Sequence, residues 1–270
     1  MNPRLVALDL DGTVLHHDAT IDEELAASIR QIHAAGHEVV IATGRSVDAT
    51  LPIIETLKIK PTWVVCCNGA VVLKRDPLAD RSYRWEFVET FHTTEVLTRI
   101  RKHLLTARYA VEDAEGFFRF TEPLPDDTLG QRKAKVTFEE LLNIQATRVV
   151  VVSPDHQLEE FLNVVEQMGL SHVSYAIGWT AWLDIAPDGV TKATALERVR
   201  ALLNINLADV LAVGDGRNDI EMLQWAGRYG VSVAMGQASE IVREAAREVT
   251  GSIDEGGLMS ILDREFMAIR

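Results

Sequence analysis

The chain has 270 residues, 47% hydrophobic and 25% charged, with 40 acidic against 27 basic side chains and a formal net charge of -13. That composition excludes disorder, a collagen-like repeat and a small disulfide scaffold, and it suffices for one large or two modest domains. The acidity argues against nucleic acid or an anionic membrane surface as a partner, because both are held by clustered cations. The two cysteines, Cys66 and Cys67, are adjacent. A bridge between neighbours would be strained, so they read as buried thiols in an apolar strand, which suits a reducing cytoplasm. Before Asp9 the continuously apolar run is Leu5 to Leu8, too short for the roughly 7–15-residue core of a secretion signal.

Leu5-Val6-Ala7-Leu8 has the pattern of a strand covered on both faces. Asp22 to Ala35 follows with helical spacing, since Leu25, Ile29 and Ile32 share a face, and Gly36 terminates it. Val39 to Ala42 is a second strand, Val47 to Leu57 a helix bent by Pro52, and Trp63 to Cys67 a third strand. The middle of the chain, from Tyr83 to Pro187, has a different grammar. Tyr109–Asp113 and Phe117–Thr121 flank the Gly-containing loop of a hairpin, strand patterns recur at Arg148–Val152, Val173–Ile177 and Trp182–Ile185, and helical patterns fall at Thr93–Leu105 and Gln157–Met168. Glu122 to Arg132, with two prolines and a glycine, reads as a loop. The C-terminal part alternates again: helix Lys192–Leu203, strand Val210–Val213, helix Asp219–Ala226, strand Tyr229–Ala234 and helix Ser239–Glu248.

Strands alternating with helices predict an α/β fold: a Rossmann-like, doubly wound parallel sheet, here interrupted by an α+β insertion. The expected division is 1–82 with 188–270 for the core and 83–187 for the inserted domain. Three apolar strands end in polar clusters: Asp9-Leu10-Asp11-Gly12-Thr13, Thr43-Gly44-Arg45, and Gly214-Asp215-Gly216-Arg217-Asn218-Asp219. Ligands of doubly wound sheets bind outside the carboxyl ends of the strands, so the three clusters should share one crevice. Asp9, Asp11, Asp215 and Asp219 would repel one another there, and a divalent cation relieves the conflict. All-oxygen ligands without nearby His or Cys favour Mg²⁺. Thr43, Arg45 and the turn amides, that of Gly44 among them, suit phosphate oxygens. Carboxylates, Mg²⁺ and phosphate donors together point to phosphoryl transfer.

These residues resemble the four motifs of a haloacid dehalogenase (HAD) superfamily phosphatase of the Cof type, which carries a type IIB cap. Asp9-Leu10-Asp11-Gly12-Thr13-Val14 resembles the first motif, Thr43 in Ala42-Thr43-Gly44-Arg45 the second, Lys192 in Gly189-Val190-Thr191-Lys192 the third, and Gly214 to Asp219 the fourth. Asn68-Gly69-Ala70, Val233-Ala234-Met235-Gly236 and Asp254-Glu255-Gly256-Gly257 also match, so the resemblance spans nearly the whole chain. The insertion lies between motifs two and three, where such caps lie. Ala193 departs from the glycine that many relatives place after the lysine.

The resemblance implies that Asp9 is the nucleophile and forms an aspartyl-phosphate. It implies that Asp11 is the general acid and then the general base. Asp9, the Asp11 backbone carbonyl and Asp215 would bind Mg²⁺, with Asp219 a ligand directly or through water. Thr43 and Lys192 would hold phosphoryl oxygens, with Lys192 offsetting transition-state charge. Asn218 would orient the site or touch phosphate, and Asn68 would face the substrate or cap a turn. Arg45 is open between a structural ion pair and a contact to substrate or cap. His16 and His17 read as a solvated pair, and Trp179 and Trp182 as packing of the cap. The implied activity is hydrolysis of a small phosphorylated metabolite, a sugar phosphate before a phosphorylated cofactor. The motifs leave open a phosphotransferase or mutase of the phosphomannomutase kind and an inactive binding protein, and they say nothing of oligomeric state.

Overall fold

The computed structural model describes residues 4–124, 132–170, 173–177 and 181–267. In chain order, β1 (Leu5–Leu8), α1 (Glu23–Ala34), β2 (Glu38–Ala42), α2 (Val47–Leu57), β3 (Trp63–Cys66), β4 (Val71–Arg75) and β5 (Tyr83–Val88) begin the first sheet. The chain then builds a second sheet with β6 (Phe91–His92), α3 (Thr93–Arg101), β7 (Arg108–Asp113), β8 (Phe118–Phe120), β9 (Lys133–Lys135), β10 (Gln145–Val152), α4 (Leu158–Met168), β11 (Val173–Ile177) and β12 (Trp182–Pro187). It returns to the first with α5 (Lys192–Leu202), β13 (Val210–Gly214), α6 (Ile220–Ala226), β14 (Val231–Ala234), α7 (Glu240–Ala245), β15 (Glu248–Val249) and α8 (Gly257–Leu262).

The first sheet has the order β15-β14-β13-β1-β2-β3-β4-β5. Its strands are parallel from β15 to β3, and β4 and β5 add antiparallel. Alternate residues of β1 serve opposite cores. Val6 and Leu8 pack with Leu25, Ile29, Ile54 and Leu258 on one face, whereas Leu5 and Ala7 pack with Leu196, Val199, Met222 and Trp225 on the other. A strand with no solvent face has no place for a polar residue, which is why it reads as unbroken apolar sequence. Each of the buried Val, Leu, Ile and Met side chains contributes roughly 1.5–3 kcal/mol through burial.

The second sheet has the order β11-β12-β10-β7-β8-β9, with β6 on β10. One face carries Tyr109, Val111, Val149, Val151, Leu183 and Ile185 against α3 and α4. Glu112, Arg148 and Asp184, each next to one of these along its strand, share the opposite face. That face meets the first unit, because the Cys67 thiol donates to Glu112 Oε2 at 3.4 Å, and β11 lies against the turn at 217–219.

Three expectations are corrected. β5 belongs to the first sheet, where it pairs with β4, so the division falls after Val88 and not at Tyr83. The helix expected over Ser239–Glu248 ends at Ala245, since Ala246 is extended, and Glu248–Val249 forms an edge strand beside β14. The third strand stops at Cys66: Cys67, Asn68 and Gly69 have φ of 52°, 52° and 104° and turn the chain tightly. The loop expected at Glu122–Arg132 is largely outside the described residues, and so is Trp179.

Candidate active site

β1 sits between β2 and β13, and the chain leaves it in opposite directions along the sheet. The carboxyl ends of β1, β2 and β13 are therefore neighbours, and the residues that follow them meet in one crevice. The Asp9 amide donates to the Val213 carbonyl at 3.1 Å, joining the first polar strand end to the third.

Asp9, Asp215 and Asp219 are buried, and one carboxylate oxygen from each lies within 4.8 Å of the others. Lys192 is 0% exposed at the first position of α5. Its Nζ donates to Asp9 Oδ1 at 2.6 Å and to Asp219 Oδ1 at 2.7 Å. Thr191 places this lysine, because its hydroxyl accepts from the Thr194 amide while the Thr194 hydroxyl accepts from the Thr191 amide. Asp219 Oδ2 accepts from the amides of Asp215 and Gly216 at 3.0 and 2.9 Å, which closes the turn after β13.

The electrostatics of this cluster are unbalanced. Burial and then the charge of Asp219 push the Asp9 carboxyl well above its ordinary value, against the pull of Lys192. Burial and Asp219 push Asp215 up to about 7. Burial alone would depress the Lys192 ammonium, but the charges of Asp219 and Asp9 outweigh it and raise it. One ammonium faces three carboxylates among the described residues, all with oxygen donors. That donor set and charge deficit fit a hard divalent cation.

Asp11 is elsewhere. Its carboxylate accepts from Arg45 Nε at 2.8 Å and from Arg45 Nη2 at 2.5 Å, a bidentate pair at the mouth of the crevice. The side chain thus stands outside the carboxylate cluster. Thr43 is buried at the end of β2, where its hydroxyl accepts from the Arg45 amide at 3.1 Å and its carbonyl from the Asn68 amide at 3.0 Å. Asn218 Nδ2 donates to Asn68 Oδ1 at 2.9 Å, which brings the turn after β3 against the fourth motif. Gly44 lies beneath this pair, where an added Cβ would come within 3.1 Å of Asn68 Oδ1. Gly12, at φ +80°, lies so close to Asp215 that any Cβ would overlap the carboxylate.

The predicted catalytic, phosphate and metal residues fall in three groups: Asp9, Lys192, Asp215 and Asp219; Asp11 and Arg45 with Thr43; and Asn68, Asn218 and Gly44. His16 bridges Asp254 and Asp22 on the surface. Two participants had no signal in the sequence patterns. Gln237 donates to the Gly12 carbonyl at 2.5 Å and to Asp215 Oδ2 at 3.3 Å. Glu112 is buried in the seam between the two sheets, and burial first, with smaller contributions from Asp48 and Asp184, raises its carboxyl to about 7 against the pull of Arg148.

Residues 6–262 match the family model of the haloacid dehalogenase-like hydrolases. Among curated proteins, the chain is 27% identical to the 5-amino-6-(5-phospho-D-ribitylamino)uracil phosphatase YitU of Bacillus subtilis (strain 168), over 98% of both chains. It is 26% identical to the pyridoxal phosphate phosphatase YbhA of Escherichia coli (strain K12), over 93% of this chain and 94% of that one. The solved HAD subclass IIB sugar phosphatase BT4131 superposes with a TM-score of 0.79 at 22% identity, covering 98% of this chain and 100% of the other, and so shares the fold. No helix among the described residues is long and apolar enough to cross a membrane. The chain belongs to the haloacid dehalogenase-like hydrolases and is one of their phosphatases.

Proposed function

We propose that this site hydrolyses a small phosphomonoester, with a sugar phosphate as the leading class, through an aspartyl-phosphate on Asp9. The observation that supports it best is Lys192, wholly buried between Asp9 and Asp219 with Asp215 alongside. Mg²⁺ held by Asp9, the Asp11 carbonyl and Asp215, with Asp219 reaching it through water, would neutralise the charge that otherwise keeps a phosphate dianion away from a carboxylate.

An Asp9 carboxylate oxygen bonds to phosphorus as the ester P–O bond breaks, and Asp11 passes a proton to the departing alkoxide. Lys192 and the Thr43 hydroxyl hold phosphoryl oxygens and stabilise the charge spreading over them. Asp11 then takes a proton from water, whose oxygen attacks phosphorus, releasing phosphate and restoring Asp9. Arg45 grips Asp11 in this conformation. A phosphate dianion competes for the same guanidinium, so substrate arrival frees the acid. Asn68, Asn218 and the Gly44 amide line the phosphate side. The 91–187 unit serves as the cap, its face with Glu112, Arg148 and Asp184 turned to the leaving group. The free, buried thiols of Cys66 and Cys67 support a reducing, cytoplasmic setting.

The test is phosphate release from a panel of phosphomonoesters, with Mg²⁺ or EDTA, by wild type and Asp9→Asn. Release that requires both Mg²⁺ and Asp9 is expected. Turnover that persists in EDTA or in Asp9→Asn would refute the mechanism.

A further inference from the structure

Gln237 follows the apolar run that ends at Gly236, and its carboxamide uses both ends. Oε1 accepts from the Ile253 amide at 3.1 Å. That bond fixes which way the group points, so the nitrogen faces the crevice, where it donates to the Gly12 carbonyl at 2.5 Å and to Asp215 Oδ2 at 3.3 Å. One side chain therefore ties together the turn after β1, the turn after β13, the loop after β14 and the turn at Ile253–Glu255.

Asp215 needs such a tether. Oxygens of Asp9 and Asp219 lie within 4.8 Å of its own and repel it. Lys192 bonds to those two carboxylates and not to this one. The carboxylate occupies the space a Cβ at position 12 would fill. Among the described residues, Gln237 is the one side-chain donor to the Asp215 carboxylate.

We propose that Gln237 is a positioning residue of the metal site, holding the Asp215 carboxylate and the Gly12 turn in the arrangement that receives a divalent cation. This rests on the Mg²⁺ reading given above. The physical gain is pre-organisation: a carboxylate already oriented loses less rotational freedom when an ion binds, and outer hydrogen bonds of this kind typically carry about 10–100-fold in metal affinity.

The experiment is calorimetric titration of the whole chain with Mg²⁺, alongside unfolding midpoints in EDTA. Gln237→Met keeps the shape and removes both donors. It should weaken Mg²⁺ binding by about 10–100-fold, while the EDTA midpoint falls only modestly, for the lost bonds to the Gly12 carbonyl and the Ile253 amide. Gln237→Asn, which retains an amide, should recover part of the affinity. Should Gln237→Met not fold, Gln237→Ala, which also has no side-chain donor, reads the same loss. Mg²⁺ affinity within about threefold of wild type in a folded donor-less variant would overturn the proposal, since it lies below the outer-shell range. So would a midpoint in EDTA that falls in step with affinity, which would mark a general brace between loops. A wild type that binds no Mg²⁺ would instead overturn the metal reading itself, and this proposal with it.

Discussion

Lys192 and Asp219 form an ion pair at 2.7 Å with neither side chain exposed, and the second oxygen of that carboxylate is held by two turn amides. Asp219 thus anchors the lysine and closes the turn that presents Asp215. Asp219→Ala leaves those two amides unpaired while Lys192 keeps its bond to Asp9, so it should cost about 1–3 kcal/mol. Urea unfolding in EDTA measures this. A loss below about 1 kcal/mol would place the pair among weak, solvent-screened bridges.

Gly12 is irreplaceable for two independent reasons, its φ of +80° and the overlap of any Cβ with the Asp215 carboxylate. Gly12→Ala should destabilise the fold by about 1–3 kcal/mol through backbone strain. It should also abolish Mg²⁺-dependent phosphate release, because the carboxylate must move. Retained activity with unchanged Mg²⁺ dependence would show that the turn relaxes without disturbing Asp215.

Glu112 should give the protein a pH-dependent stability. Burial raises its carboxyl from 4.5 in the unfolded chain to about 7 in the fold. Between those values the native state binds more protons than the unfolded state, so stability falls as pH rises from about 4.5 to 7 and then levels. The shift corresponds to about 3 kcal/mol. Glu112→Gln, a neutral isostere, should flatten this contribution and be the more stable form above pH 7. Chemical unfolding of both proteins across pH 5–8 measures it, and equal slopes would sink the idea.

Arg45 and Asp11 pair at the crevice mouth with side chains 30% and 56% exposed, so water screens them. Arg45→Met should therefore change stability by no more than about 1 kcal/mol. Its effect should fall on substrate: KM for a phosphomonoester is expected to rise about tenfold, the loss of one charge-assisted phosphate contact. Unchanged KM would make the guanidinium a partner of Asp11 alone.

The legible part of this molecule was the part encoded locally. Leu5–Leu8 reads as a doubly covered strand because both its faces are buried, and the motif residues stand at strand ends because that is where a doubly wound sheet opens. The strand β5 was harder. None of its residues is buried, and Arg84 and Val88 are exposed, so nothing in the pattern says which sheet it joins. The edge strand β15 has two residues, too few for any periodicity to separate it from the preceding helix.

The sequence by itself determined the fold class and the family and singled out the candidate site residues, because hydrophobic period and short motifs are properties of neighbours along the chain. Tertiary structure alone decided how those residues are partnered. Lys192 reaches Asp9 across 183 positions, Gln237 reaches Gly12 across 225, and Cys67 meets Glu112 across the seam between two sheets. Such contacts depend on the direction of side chains whose backbones are brought together only when both cores close. The same closure excludes water, and exclusion of water is what raises Asp215 and Glu112 to about 7.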